Sequence, residues 1–347
     1  MAGSGTAHLE GEEDALLRVE HLVVEFSVAR KVLRAVSDIS FAVRKGETLG
    51  LVGESGCGKS TTGRAIVQMP RPTGGNIWFD GIDLCTLRGE SLRSVRPRIQ
   101  MIFQDPIAAL NPRRRVADIV ADPLVAWGRA AGPERDRRVR AIFEAVGLDY
   151  DNVGSWRPHQ FSGGQCQRIS IARALALEPE LLICDEPVSA LDVSVQAQIL
   201  NLLHDMKERY GLTVIFISHD LAVVKNVSDR VVVIYLGKIC EVAPPEFIFE
   251  RPHHPYTRLL LHSIPVPDPD APLVAAESSG AGTEFPSPFD PPSGCRFRTR
   301  CPRAQERCGA EEPRLRQLGT GHFVACHFPV EERIIPTAAP QRMVPGA

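Results

Sequence analysis

The chain has 347 residues, 44% hydrophobic and 24% charged, with 40 Lys and Arg against 42 Asp and Glu for a net charge of −2. That balance excludes disorder over most of its length, and 3 Trp and 4 Tyr on a near-neutral chain argue against a general nucleic-acid binder. The length calls for one large domain with an appendage, or for two domains.

The first twenty residues hold four Glu and one Asp with neither a basic start nor an apolar stretch, so no secretory signal is expected there. No run of 18 apolar residues occurs, so no transmembrane helix is predicted. In the reducing compartment this implies, nine cysteines point to thiols or metal ligands before disulfides. Residues 17–26 and 32–41 have the pattern of antiparallel strands with one wet face. Short apolar runs without alternation at 48–52, 181–184, 214–217 and 231–236 suit parallel strands covered by helices on both faces. Between the first two, a stretch from about 105 to 157 carries helical spacing at Val139, Ile142, Phe143 and Val146, which predicts a helical insertion. Residues 264–294 hold eight of the 28 prolines and read as a linker, after which four cysteines fall within 32 residues. That last segment is too short to build a core of its own.

Gly53-Glu54-Ser55-Gly56-Cys57-Gly58-Lys59-Ser60-Thr61 follows an apolar run and opens a helical pattern, the context of a phosphate-binding loop. Its glycines let backbone N–H groups face phosphates at a helix N-terminus, Lys59 reaches the β- and γ-phosphates, and Ser60 ligates Mg²⁺. Cys57 stands at that helix N-terminus, where a thiol pKa falls, so alkylation that ATP prevents is expected. Asp185 and Glu186 end a buried strand, where Asp185 is expected in the Mg²⁺ shell and Glu186 at the attacking water. Ser162, Gly163 and Gly164 open a helical pattern with Gln165, a second phosphate site in the same chain. One nucleotide cannot use both helix termini within a monomer, so the second site is expected to serve a nucleotide held by a partner chain.

With these motifs in order, the chain resembles the ATP-binding subunits of ABC transporters over about residues 15–260. The implied fold class is α/β, a P-loop NTPase ABC ATPase core with an N-terminal antiparallel β subdomain, a helical subdomain and a small cysteine-containing C-terminal extension. The implied domains are a nucleotide-binding domain over 15–250 with its helical subdomain at about 105–165, a Pro-rich linker over 251–294, a four-cysteine domain over 295–330 and a flexible tail over 331–347. By the resemblance, Gly53 to Thr61 is the Walker A loop, Gln104 the Q-loop glutamine that joins Ser60 and Asp185 at Mg²⁺, and Ser162 to Gln165 the signature, which Phe161 opens where Leu is commoner. Ser189 to Asp192 is the D-loop, and Glu186, His219, Gln104 and Lys59 are the implied catalytic set. Phe26 is the aromatic implied to stack on adenine, or else an ordinary strand aromatic.

Gln104-Asp105-Pro106, Leu110-Asn111-Pro112-Arg113, His254-Pro255-Tyr256-Thr257 and the late cysteines narrow the resemblance to the dipeptide and oligopeptide importer branch, which also includes nickel and glutathione importers. It implies ATP hydrolysis on the cytoplasmic face of the cell membrane, coupled to two transmembrane permease subunits and an extracytoplasmic substrate-binding protein. A second ATP-binding subunit, a paralogue in a heterodimer, completes the pair; the alternatives are the same role for nickel or glutathione import, or a soluble ABC ATPase without a membrane partner. Cys295, Cys301, Cys308 and Cys326 are separated by 5, 6 and 17 residues, without the Cys-x-x-Cys pair of structural zinc sites. Seven arginines between Arg296 and Arg316 against three acids would offset a cysteine-ligated iron–sulfur centre. Branch members carry a [4Fe-4S] cluster in this tail, so one is expected here, with zinc as the alternative.

Overall fold

The computed structural model describes residues 5–29, 31–263 and 286–331. The centre of the expected linker, 264–285, and the tail from 332 lie outside those residues. The strands are β1 (Leu17–Val28), β2 (Lys31–Val43), β3 (Thr48–Val52), β4 (Gly74–Phe79), β5 (Ile82–Asp83), β6 (Ile99–Ile102), β7 (Leu181–Asp185), β8 (Thr213–Ser218), β9 (Arg230–Tyr235), β10 (Lys238–Ala243), β11 (Arg316–Gly319) and β12 (His322–Val324). The helices are α1 (Lys59–Ile66), α2 (Gly89–Val95), α3 (Val116–Ala126), α4 (Gly132–Ala145), α5 (Tyr150–Val153), α6 (Gly163–Leu175), α7 (Val193–Tyr210), α8 (Leu221–Val227), α9 (Pro245–Glu250), α10 (Pro255–His262) and α11 (Glu306–Ala310). Among the described residues, no helix is long and apolar enough to cross a membrane.

Two sheets divide the strands. An antiparallel sheet runs β2-β1-β4-β5, and a larger one runs β11-β12-β10-β9-β3-β8-β7-β6. Parallel pairing joins β6, β7, β8, β3 and β9. The expected α/β class with an N-terminal antiparallel sheet is what the chain forms.

The parallel strands lack polar alternation because both of their faces are buried. Leu49 and Leu51 of β3, Leu181 and Ile183 of β7, and Ile215 and Ile217 of β8 pack into one core with the antiparallel sheet. Their neighbours Val52, Leu182, Cys184, Val214 and Phe216 pack into a second core with α3, α4 and α6. A period of two thus sends successive side chains to opposite cores rather than to core and solvent. The helical insertion packs on that second core through Val139, Phe143 and Val146, while Ile142 is only partly buried.

Residues beyond the linker join the main sheet. β12 pairs with β10 through Glu241↔Val324 and Val242↔Phe323, and β11 pairs with β12. A segment too short for its own core therefore takes backbone partners and apolar cover from the larger domain.

Candidate functional site

The parallel register aligns the carboxyl ends of four strands. Ile102 of β6 pairs with Cys184, Asp185 of β7 with Ile217, and Val52 of β3 with Ser218. The loop 53–58, the pair Asp185-Glu186, His219 just past β8 and Gln104 two residues past β6 are thereby gathered at one edge, where open α/β sheets bind ligands.

The loop turns through glycines that no other residue would replace without strain. Gly58 is the N-cap of α1 at φ +106°, and a Cβ there would press on the Ala35 carbonyl. Lys59 is buried, and its Nζ donates to Gly53 O at 2.7 Å and Glu54 O at 3.0 Å. Ser60 Oγ donates to Asp185 Oδ1 at 2.6 Å across 125 residues of sequence. Asp185 Oδ2 is buried without a hydrogen-bond partner, with the Arg64 guanidinium 3.6 Å away. Burial pushes the Asp185 carboxyl above its usual range, against the Ser60 hydrogen bond and the Arg64 charge. A buried carboxylate oxygen lacking a donor, beside a hydroxyl, is a donor set that fits a hard divalent cation.

Glu186 is the hinge of a second group. Its Oε2 accepts from Gln104 Nε2 at 3.1 Å and lies 3.2 Å from His219 Nδ1. Its backbone sits at φ +49°, left-handed for a non-glycine, with its N–H donating to Ile217 O at 3.0 Å. Ser189 Oγ, at the start of the expected D-loop, returns to Glu186 O at 3.1 Å.

Ser162 caps α6 in a reciprocal pair. Its hydroxyl accepts from Gln165 N, and Gln165 Oε1 accepts from Ser162 N at 3.0 Å. Both residues are exposed in the single chain, while Gly163 and Gly164 face Leu191 and Val195 from the segment that starts α7. Phe26 of β1 is half-buried against the core and pairs with Leu33 of β2, which stands two residues before Ala35. Asp105 and Asn111 close turns on backbone N–H groups, Asp105 Oδ1 accepting from Ile107 and Ala108 and Asn111 Oδ1 from Arg113.

One expectation changes. Cys57 is 1% exposed, and burial pushes its thiol up despite the neighbouring Lys59 charge, so the reactive, low-pKa thiol is not formed. Among the described residues no group of three or more His, Cys, Asp or Glu is arranged to hold a metal ion, so a preassembled cysteine-ligated centre is not supported. Cys295, Cys301, Cys308 and Cys326 nevertheless line one small cavity with His254, Arg298 and Arg303. Burial and the neighbouring thiols raise Cys295 to about 11 and Cys326 to about 12. Of the seven arginines between Arg296 and Arg316, Arg298 and Arg303 line that cavity. Arg300, Arg307 and Arg316 bond instead to Glu54, Glu311 and the Cys326 carbonyl.

The motifs assign no individual role to Glu54, Arg64, Tyr256 or Arg300. Glu54 N donates to Tyr256 Oη at 2.8 Å, and Glu54 carries a two-point ion pair with Arg300. The His254-Pro255-Tyr256-Thr257 run was the available signal, but nothing in its spacing says that it reaches the phosphate loop.

The chain matches the family described as ABC transporter over residues 36–189, and the oligopeptide/dipeptide transporter C-terminal region over residues 240–308. It is 50% identical over 302 residues to the oligopeptide transport ATP-binding protein AppF of Bacillus subtilis, covering 86% of this chain and 91% of that one. With the oligopeptide transport ATP-binding protein OppF of Haemophilus influenzae it shares 45% identity over 328 residues, 92% of this chain and 98% of the other. The dimeric post-hydrolysis structure of the ATP-binding cassette MJ0796 bound to ADP and Pi superposes with a TM-score of 0.61 at 28% identity, covering 66% of this chain and 98% of that one.

Proposed function

We infer function from the premise that this chain belongs to the ATP-binding subunits of ABC transporters, in the oligopeptide and dipeptide import branch. It is an ATPase that works with ATP and Mg²⁺, partners membrane permease subunits and powers the import of di- and oligopeptides. The observation that carries a mechanism is the meeting of Ser60 with Asp185 and of Gln104 with His219 around Glu186.

Ser60 Oγ, Asp185 and Gln104 would hold Mg²⁺, which when bound would neutralise charge on the phosphates. Lys59 adds a fixed positive charge at the γ-phosphate, and the N–H groups of 55–61 bind the remaining oxygens. Glu186 orients the attacking water in line and takes its proton. His219 and Gln104, both on Glu186 Oε2, report the state of the γ-phosphate to that carboxylate. Phe26 supplies the ring for adenine. Ser162, Gly163, Gly164 and Gln165 close on the nucleotide of a second subunit arranged head to tail, a paralogue, on the cytoplasmic face of the membrane.

The test is uptake of labelled di- and oligopeptides, with nickel and glutathione in parallel, by cells carrying the native chain or Glu186→Gln. Loss of peptide uptake alone is the expected result. Loss confined to nickel or glutathione would overturn the peptide assignment, and unchanged uptake of all three would overturn transport.

We also assign Cys295, Cys301, Cys308 and Cys326 to a [4Fe-4S] cluster that would cross-link a segment without its own core and take no part in hydrolysis. Four cysteines on one cavity support the reading, and burial raises the thiols of Cys295, Cys301 and Cys326, so a bound cation would supply the charge that lets them ionise. Anaerobic purification should yield iron and acid-labile sulfide in equal amounts. Zinc alone would replace the cluster, and neither metal would overturn any metal role.

A further inference from the structure

Glu54 is held by three directional contacts. Its carboxylate takes both terminal nitrogens of Arg300, Nη1 on Oε2 at 2.7 Å and Nη2 on Oε1 at 2.9 Å. Its N–H donates to Tyr256 Oη at 2.8 Å, and its carbonyl accepts from Lys59 Nζ at 3.0 Å. The ion pair joins residues 246 positions apart, and its side chains are only 14% and 29% exposed, a sheltered and bidentate arrangement.

Arg300 owes its place to the cysteine segment. Its N–H donates to Phe297 O at 3.0 Å, and Cys295 N donates to Cys308 O at 2.8 Å. Gly294 sits at φ +63°, where a Cβ would run into the carbonyls of Cys308, Gly309 and Glu311. The Phe297 ring packs on Tyr235 and Tyr256 at centroid distances of 5.3 and 5.4 Å, and the Arg300 guanidinium lies over the Tyr235 and Phe297 rings. A chain of contacts thus runs from Cys295 and Cys308, through Arg300, to Glu54 and Lys59.

We propose that Arg300 and Tyr256 are positioning residues for ATP, which clamp Glu54 and so hold the phosphate loop and Lys59 in the nucleotide-accepting form. The proposal rests on the reading of residues 53–61 as the ATP loop.

The experiment uses the assembled transporter and measures binding of trinitrophenyl-ATP together with kcat and KM for ATP. The variants are Arg300→Gln, Glu54→Gln, the double variant and Arg300→Lys, with Lys59→Ala as control. Losing a bidentate charged contact should raise Kd and KM about five- to tenfold in each single Gln variant while kcat stays within about twofold. The double variant should be no weaker than the worse single, since both remove one interaction. Arg300→Lys, which keeps the charge but not the fork, should recover part of the loss. Lower thermal midpoints with unchanged Kd, or additive single effects, would overturn the clamp; should Arg300→Gln fail to fold, Glu54→Gln decides alone. If the native chain fails to bind the analogue, or Lys59→Ala binds it equally well, the ATP-loop reading falls instead.

Discussion

Glu186→Gln is expected to retain ATP binding and to lose about 10²- to 10⁴-fold in phosphate release, the range for removing a positioned general base. The substitution keeps the size of the side chain and its position at the end of β7, where φ is +49° and the N–H is tied to Ile217 O. It removes the negative charge that Gln104 Nε2 and His219 Nδ1 converge on at 3.1 and 3.2 Å. Lys59 bonds to Gly53 O and Glu54 O, and Ser60 to Asp185, none of them to the Glu186 side chain, so the lysine and the hydroxyl–carboxylate pair stay in place. Phosphate release by the assembled transporter, beside equilibrium binding of an ATP analogue, separates the two effects. Near-normal turnover would remove Glu186 from the base role and leave electrostatic stabilisation by Lys59 and Mg²⁺ as the main source of rate.

Glu241→Ala is expected to cost about 3–5 kcal/mol of stability, the scale for breaking one side of a buried charged network. Glu241 is 0% exposed on β10 and accepts from His253 N at 2.7 Å, His254 N at 3.1 Å and His322 Nε2 at 2.7 Å. Alanine would orphan two backbone donors and an imidazole in the seam where α10 and β12 meet the sheet. Glu241→Gln, which keeps one acceptor oxygen, should cost less. Chemical denaturation of the purified chain measures both, and an alanine variant as stable as the parent would show that the seam is held by apolar packing instead.

The same seam sets an acid limit. Burial lowers His254 from 6.5 to about 4, and its Nδ1 accepts from Tyr256 N at 3.0 Å, which only the neutral ring can do. The unfolded chain binds a proton below about 6.5 that the folded chain refuses until about 4, so stability falls as pH drops through that window. The loss is on the order of 3 kcal/mol, flat above pH 7.

Local chemistry was legible from residues. A phosphate loop needs glycines, a lysine and a hydroxyl within nine consecutive positions between a strand and a helix, and residues 53–61 state all of that in one run. The buried parallel strands were legible too, because apolar runs without alternation leave no wet face. The fate of Cys57 was misread for the opposite reason. Its helix N-terminus is visible in the sequence, but the burial that overrides it comes from distant strands.

The family, the α/β class and the loop that receives phosphate follow from short-range spacing and from which faces are apolar. The meeting of Gln104, Glu186 and His219, the buried Asp185 oxygen without a donor and the closure of Arg300 on Glu54 exist only in the folded chain. Those contacts depend on strand register and on the order of strands across the sheet. Register is a property of paired chains, and no window along one chain contains it.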